Sequence, residues 1–481
     1  MSGHNVWTHK GTFLLAAVGS AVGLGNLWRF PYLVGEYGGG AFILVYALTI
    51  FAVGIPILIA EIMLGRTSRQ SPIMGMRHLT KTHHTSRTWE SIGWLGALAA
   101  FLILSFYSVI AGWAIHYTWL MLTGSLVGAD AQTISDGFAL LLSSPGLMTV
   151  YHTLFIAGSG LIVALGIHTG IESALRIMMP ALFIILLIVL AYSVIHGDIA
   201  AAADFLLTFN LASLSIEGWL QAMGQSFFTL SLGMGAIMAY GAYMTSEVSL
   251  TRTAIAIAII DTLVAMVAGL AIFALVFGAG LDIAQGPGLM FVTLPLAFAE
   301  MPMGALVGGV FFILVLGAAI SSSISLIEPV AAYLVERFDM TRPQAVAVIV
   351  IATWAVGLLT VVSFNIWAEG TFFHAIWGRS AFELIELLTN VLMPLSGLMI
   401  ALFAGWALTQ TEVKKELDTT AMWFAMWRFL VRFISPAAVA YVLLRSLPFM
   451  DGYLLPAVGA LLFVGLFAAN QRWKAKRRPL T

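Results

Sequence analysis

The chain has 481 residues, of which 60% are hydrophobic and only 9% are charged, and its formal net charge is −1. Soluble domains carry about 25% charged residues, so too few charges remain here to cover a water-exposed surface. The near-zero net charge gives no sign of a nucleic-acid partner, and the lack of cysteine excludes disulfides and thiolate metal sites. We therefore expect an all-α integral membrane protein whose outer surface contacts membrane lipid.

Membrane spans require about 20 predominantly apolar residues, and about twelve such segments occur. In chain order the predicted spans are 12–36, 41–65, 90–122, 150–168, 172–196, 218–244, 252–281, 306–335, 343–363, 381–408, 424–446 and 453–470. The first contains Asn26 and Arg29 and lacks a small-residue cleavage site, so we interpret it as a span and not as a secretory signal. The loop 282–305 is rich in Gly and Pro, which predicts short helical pieces that dip into the bundle without crossing.

Charged residues in the loops predict the orientation. Basic residues such as Arg66, Lys81 and Arg337 fall on one side of the predicted spans, whereas acidic residues such as Asp130 and Asp198 fall on the other. The positive-inside rule then places both termini in the cytoplasm, which requires an even number of spans. The predicted location is the cell (inner) membrane, crossed many times.

Two of the predicted spans contain helix-breaking sequences. Residues 19–26 read GSAVGLGN and residues 228–235 read FTLSLGMG, each with a Gly-x-Gly beside hydroxyl or amide side chains. Gly-x-Gly alone can simply permit close helix packing, but corresponding breaks in two halves of a chain are typical of a transporter site. Because the breaks are five spans apart, the second half must be inverted. We predict one transmembrane domain over 1–481, with repeats at about 12–196 and 218–408 and extra helices at about 424–470.

Other polar residues interrupt the spans. Span eight holds a serine cluster within 321–325, and span three offers Tyr107 between Ser105 and Ser108. Serines in spans often hydrogen-bond to their own helix, but four within five residues predict that some face a polar site. Asp261 lies in an otherwise apolar stretch of span seven, and an intramembrane carboxylate is functional by default.

These stretches resemble the neurotransmitter:sodium symporter family, in particular its bacterial amino-acid transporters. The resemblance rests on Gly19 to Pro31, Gly38 to Phe42, Gly54-Ile55-Pro56 with Glu61 and Gly65-Arg66, Gly224 to Ala236, and Ser321 to Pro329. It implies two inverted five-helix repeats, spans 1–5 and 6–10, with spans one and six broken. It also implies a sodium-coupled symporter that imports a small neutral, hydrophobic α-amino acid by alternating access.

The resemblance implies two sodium ions as co-transported ligands. The first would bind Ala21, Asn26, Thr229 and Asp261 together with the substrate carboxylate. The second would bind Gly19, Val22, Ala318, Ser321 and Ser322. Carbonyls, hydroxyls, an amide and a carboxylate suit a hard cation that has lost its water shell.

The implied substrate site lies beside these ions. Its residues would be Ser20, Ala21, Leu24, Gly25, Ile103, Tyr107, Phe228, Thr229, Ser231, Met234, Ser322, Ser325 and Leu326. The substrate carboxylate would meet the backbone near Leu24 and Gly25 and the Tyr107 hydroxyl. Gly23 stands where the family's monoamine carriers have Asp, and Leu24 where carriers of longer ω-amino acids have Gly. Both differences favour an α-amino acid.

Gates are implied on both sides of the substrate. On the outer side Arg29 would face Glu386, with Glu383 as a rival, and Phe228 would cover the substrate. On the inner side Glu336 would pair with an N-terminal residue that is His4 here, where the family usually has Arg, and Trp7 and Tyr243 would act as plugs. Gly170 and Pro180 frame a segment of span five that could unwind.

Alternative functions are a proton-coupled amino-acid carrier, with Asp261 as the titrating group, and a transport-inactive amino-acid sensor of the same fold. A channel would need a continuous polar stripe or a repeated filter, and neither is present in the sequence. An enzyme is not expected, because no paired catalytic groups occur in the spans. Asp261 also predicts independence from chloride, since it supplies a fixed negative charge beside the first sodium. The sequence leaves open which amino acid is carried and whether the protein is a monomer or a homodimer.

Overall fold

A computed structural model describes residues 7, 10–283, 288–368, 374, 376, 378–417 and 419–446. The described chain is helical at the positions of the first eleven predicted spans, and the predicted span 453–470 lies outside the described residues. Among the described residues, nine helices are long and apolar enough to cross a membrane, and the bent pair Gly11–Ala21 with Gly25–Glu36 makes a tenth. The nine are Gly40–Ser68, Arg87–Leu122, Pro145–Ala164, Ile167–His196, Leu250–Gly278, Gly304–Phe338, Arg342–Ser363, Ala381–Ala407 and Ala421–Arg445. The predicted sixth span forms two shorter helices, Ile216–Thr229 and Ala236–Ala242, which we count with them in chain order. We number these helices as spans 1 to 11 in this order.

Spans 1 and 6 are each divided into two half-helices. The two pieces of span 1 are bent by 46° around residues 22–24. Span 6 is interrupted between Thr229 and Ala236, where Ser231, Gly233 and Gly235 have φ angles of +53°, +71° and +73°. These left-handed conformations suit glycine and end a right-handed helix. The two predicted breaks are therefore confirmed at the predicted residues.

Side chains cap the first turns of several helices. Ser380 and Glu383 form a capping box at the start of span 10, and Thr341 with Gln344 forms another at span 9. Ser215 accepts a hydrogen bond from the Gly218 amide and so caps span 6. Such caps satisfy backbone donors that a helix leaves free at its first turn.

The segment before span 8 forms short helices, Leu289–Thr293 and Leu294–Glu300, as the Gly- and Pro-rich loop predicts. Phe291 on the first of them is buried against Trp113 and Tyr117 of span 3. Further short helices join the spans at Pro72–Thr82, Ala131–Ser143, Ile199–Leu207 and Gln410–Leu417.

The bundle is apolar on both its inside and its outer surface. Span 3 packs along span 8, and the broken spans lie against this pair. On the outside, Ile177 and Ile195 of span 5 are 73% and 74% exposed. Large aliphatic side chains at such exposure indicate a surface that contacts lipid.

Candidate functional site

The two helix breaks meet at the centre of the bundle. The Asn26 amide of span 1 donates to the Thr229 hydroxyl of span 6 at 3.2 Å, and Ser231 donates to the carbonyl of Ser20 at 2.9 Å. The carboxylate of Glu61 in span 2, completely buried, accepts a hydrogen bond from the Gly233 amide at 3.0 Å. Irregular backbone at membrane depth survives only where protein or a cavity satisfies it, and Glu61 provides part of that support.

A small cavity lies between the breaks and spans 3 and 8. The cavity is small in this conformation, with a volume of about 20 Å³. Its lining residues are Ser20, Ala21, Gly23, Leu24, Gly25, Ile103, Tyr107, Phe228, Ser231, Met234, Ser322 and Leu326. Eleven of the thirteen predicted substrate residues therefore line one cavity. The other two, Thr229 and Ser325, lie directly behind it, where Ser325 accepts a hydrogen bond from Ser20 at 2.8 Å.

The cavity has a polar end and an apolar end. At the polar end the Leu24 amide donates to the Tyr107 hydroxyl at 3.2 Å. Ile103, Met234 and Leu326 form the apolar part of the lining. No residue of the lining is charged, so the cavity matches a ligand with a compact polar group and an uncharged, apolar remainder.

Gly23 is a lining residue that the sequence did not place in the pocket. A Cβ atom at this position would come within 2.3 Å of the Ser322 hydroxyl and 3.0 Å of the Tyr107 hydroxyl. A larger residue at position 23 would therefore displace the Ser322 and Tyr107 hydroxyls or occupy part of the cavity. The two glycines of the Gly23-Leu24-Gly25 sequence were the available signal for this close approach.

The residues of the predicted first sodium site lie together. Asp261 is completely buried and accepts hydrogen bonds from the Asn26 amide at 2.7 Å and from the Thr229 hydroxyl at 2.8 Å. The Asn26 side-chain carbonyl in turn accepts from the Gly23 amide at 3.0 Å. Three spans thus place polar groups at one point. A cation there would bind the side-chain oxygens of Asn26, Thr229 and Asp261 in place of these hydrogen bonds.

The residues of the predicted second sodium site also converge. Ser321 and Ser322 of span 8 face the broken part of span 1, and the Ser322 hydroxyl lies 3.5 Å from the Gly19 carbonyl oxygen and 3.4 Å from that of Val22. Ser321 lies 3.4 Å from the Val22 carbonyl and donates to the Ala318 carbonyl at 2.9 Å. Two hydroxyls and three carbonyls therefore form a second cluster of oxygens, which carries no formal charge.

On the outer side, Arg29 lies above the substrate cavity. Its guanidinium stacks over the Phe228 ring at 4.9 Å and donates to the Gln225 side chain at 3.3 Å. Gln225, which the sequence analysis did not assign, also donates to the Gly25 carbonyl at 2.8 Å. In this conformation Arg29 and Glu386 are not within ion-pair distance among the described residues. Both lie near the hydroxyl of Tyr32.

The rival outer acid, Glu383, has a structural task. Its carboxylate accepts from the Ser380 amide at 2.8 Å in the capping box of span 10, and its side chain is exposed. Glu386 lies one turn further along and is partly buried. The geometry therefore favours Glu386 over Glu383 as the partner of Arg29.

On the inner side, the aromatic plug residues pack together. Trp7 is buried, its ring meets those of Tyr240 and Tyr243 edge-on, and its indole nitrogen donates to the Tyr240 carbonyl at 3.2 Å. Glu336 accepts hydrogen bonds from the backbone and hydroxyl of Ser71, the latter at 2.6 Å. The predicted gate residue His4 lies outside the described residues.

A buried ion pair near this inner end was missed by the sequence analysis. Glu328 is completely buried, pairs with Arg342 of span 9, and accepts a hydrogen bond from the Tyr243 hydroxyl at 2.8 Å. A carboxylate inside a span was the available signal, because such a group requires a buried partner. The partner itself could not be read from the sequence, since it lies on another helix.

An all-helical bundle with two broken spans around a small cavity and two oxygen clusters defines a secondary transporter, not an enzyme. The chain belongs to the sodium:neurotransmitter symporter family, whose sequence model matches residues 4–136 and 133–468. It is therefore a multi-pass, sodium-coupled membrane symporter.

Similar proteins agree with this assignment. The chain is 33% identical over 444 residues to the sodium-dependent transporter YhdH of Bacillus subtilis, covering 91% of this chain and 97% of that protein. It is 26% identical over 512 residues to the sodium-dependent dopamine transporter of Bos taurus, covering 94% of this chain and 71% of the bovine protein. The crystal structure of MhsT in complex with L-phenylalanine matches with a TM-score of 0.85 and 38% identity, covering 92% of this chain and all of that one.

Proposed function

We propose that this protein imports a neutral α-amino acid with an aromatic or aliphatic side chain, driven by sodium. The observation that carries the proposal is the uncharged cavity with one polar and one apolar end. The substrate carboxylate would bind the Leu24 and Gly25 amides and the Tyr107 hydroxyl, where the N-terminus of a half-helix favours negative charge. Its side chain would contact Ile103 and Met234. The match to a structure that binds L-phenylalanine supports a neutral amino acid as the substrate.

We propose two sodium ions, one in each oxygen cluster. The first ion would bind Asn26, Thr229, Asp261 and the Ala21 carbonyl, and the substrate carboxylate would complete its shell. The second would bind the carbonyls of span 1 together with Ser321 and Ser322. Both ions would join span 1 to the rest of the bundle, so their binding would close the pathway only when the substrate is present.

We propose that transport does not require chloride. The carboxylate of Asp261 supplies a negative charge within the first cluster and is completely buried. One helical turn later, Ala265 offers no charge. Two unit charges about 4–5 Å apart attract by roughly 3–4 kcal/mol at an effective dielectric constant near 20. Asp261 can therefore take the part of an exchangeable anion.

Alternating access would use two gates, one on the outer side and one on the inner side of the substrate cavity. Closing the outer side would bring Arg29 and Glu386 together across Tyr32 and seat Phe228 on the substrate. Opening the inner side would separate Trp7 from Tyr240 and Tyr243. In this scheme both termini lie in the cytoplasm of a cell whose inner membrane holds the protein.

The deciding experiment is a thermal-shift screen of the purified protein against the twenty amino acids, in sodium and in potassium. We expect stabilisation by aromatic and branched aliphatic amino acids in sodium. Gly23→Ala should abolish that stabilisation because its Cβ would fill the cavity. Gly158→Ala is the matched control, since a Cβ there has no neighbour within 4 Å. Stabilisation by charged amino acids alone would refute the proposed substrate class.

Uptake into proteoliposomes then tests transport itself. A sodium gradient should drive accumulation of the amino acid, whereas a proton gradient alone should not. Accumulation on a proton gradient would favour the proton-coupled alternative. Binding without uptake under either gradient would favour the sensor.

A further inference from the structure

Two arginines in span 11 lie on one face of the helix, and neither has an acidic partner among the described residues. Arg428 and Arg432 are four residues apart, so their side chains share a face. Neither forms an ion pair within the described part of the chain, and one guanidinium nitrogen of Arg428, Nη1, is buried without a hydrogen-bond partner. By contrast, Arg66 and Arg342 each pair with a glutamate. Two like charges this close repel each other, and an anion between them would offset that repulsion.

The surroundings hold these arginines in fixed positions. Arg432 donates to the Gly405 carbonyl of span 10 at 2.5 Å and stacks over the Trp406 ring at 4.9 Å. Trp406 in turn donates to the Arg432 carbonyl at 3.2 Å. Gly405 lets the two helices approach closely, because a Cβ there would lie 3.0 Å from Cγ of Arg432. Arg428 lies over the Phe424 ring at 5.8 Å.

The pair lies toward the end of the bundle that we assign to the cytoplasm. Span 11 begins at Ala421, after a short helix whose Glu416 pairs with Arg66 at the end of span 2. At 1.5 Å per residue, Arg428 is roughly 10 Å along span 11. Long arginine side chains reach from this depth to the level of the lipid headgroups. Gly405 and Trp406, which contact Arg432, also end span 10 on this side.

We propose that Arg428 and Arg432 bind the phosphate of an anionic phospholipid in the inner leaflet. Guanidinium groups bind phosphate oxygens through two parallel hydrogen bonds, and both arginine side chains are partly exposed. An anionic headgroup between the two side chains would also offset their mutual repulsion. Basic sites between helices on the cytoplasmic side favour anionic lipid over zwitterionic lipid. The site is separate from the substrate cavity, and the proposal depends on the proposed orientation only for the choice of leaflet.

The test compares lipid binding by the whole protein with and without the two charges. Native mass spectrometry should show phosphatidylglycerol retained in preference to phosphatidylcholine. The Arg428→Gln/Arg432→Gln variant should bind phosphatidylglycerol about thirtyfold more weakly, because each basic residue near an anionic leaflet contributes about 1 kcal/mol. The control Arg252→Gln, an exposed arginine on the same side in span 7, should leave the preference unchanged.

Two further measurements keep the result unambiguous. Arg428→Lys/Arg432→Lys retains both charges and should keep part of the preference, so it guards against a double glutamine variant that fails to fold. We expect phosphatidylglycerol vesicles to raise the melting temperature of the protein relative to phosphatidylcholine vesicles. Inorganic phosphate added to protein in phosphatidylcholine vesicles should not reproduce this stabilisation. Full stabilisation by free phosphate would overturn the assignment to lipid. An unchanged preference in the double glutamine variant, or an equal loss in Arg252→Gln, would overturn the site.

Discussion

The two oxygen clusters contact the same broken span, yet they differ in charge. The first contains the buried carboxylate of Asp261, whereas Ser321, Ser322 and backbone carbonyls form a second cluster with no formal charge. The first cluster also borders the polar end of the cavity, and the second joins span 1 to span 8. We infer that the charged cluster couples sodium to the substrate. The neutral cluster would instead couple sodium to the position of span 1.

Removing the negative charge of Asp261 should have the largest effect on transport. Asp261→Asn keeps a ligand oxygen but leaves two cations with less compensation, so we expect transport either to stop or to become chloride-stimulated. The measurement is sodium-driven uptake in chloride and in gluconate, for the wild type and the variant. A chloride requirement in the wild type, or full chloride-free activity in the variant, would rule out the proposed role of Asp261.

Replacing sodium with potassium should have the next largest effect. Because the substrate carboxylate completes the first ion's shell, the amino acid should give no measurable thermal stabilisation in potassium. Melting curves with and without the amino acid in each salt provide the measurement, and potassium alone provides the baseline. Equal stabilisation in both salts would show that substrate and sodium do not share a shell.

Single hydroxyl deletions should distinguish the two clusters. Thr229→Ala and Ser322→Ala each remove a ligand to a buried ion, and each should weaken sodium binding by roughly 1–3 kcal/mol. Sodium titrations followed by thermal shift should show the Ser322→Ala loss even without substrate. The Thr229→Ala loss should appear mainly when the amino acid is present. Identical behaviour of the two variants in both titrations would argue against separate roles.

Enlarging the apolar end of the cavity should have the smallest effect, confined to specificity. Leu326→Ala removes part of the side-chain wall and should shift preference toward bulkier amino acids by roughly 1–2 kcal/mol. Competition by a series of amino acids against a labelled substrate measures the ranking. Sodium dependence should stay as in the wild type, because the Leu326 side chain supplies no oxygen to either cluster. An unchanged ranking would mean that Leu326 does not border the bound side chain.

The sequence predicted the spans and the breaks with good accuracy for physical reasons. A membrane span requires about 20 apolar residues in succession, and glycine lowers the cost of leaving helical geometry. Both signals are local, so the helices at the first eleven predicted positions and the breaks around Gly23 and Gly233 could be predicted directly from the sequence. The family resemblance supplied the cavity residues, and eleven of the thirteen line the same space.

Only the tertiary structure decided which charges are partnered. Asn26, Thr229 and Asp261 come from three spans, and their meeting depends on how each helix is rotated and where it crosses the others. For the same reason the sequence could not pair Glu328 with Arg342, or reveal that Arg428 and Arg432 have no acidic partner among the residues that the structure describes. A polar side chain in a span can be recognised from the sequence alone. Whether it meets an ion, a counter-charge or lipid depends on the neighbouring helices, because the surrounding hydrocarbon offers it no hydrogen bonds.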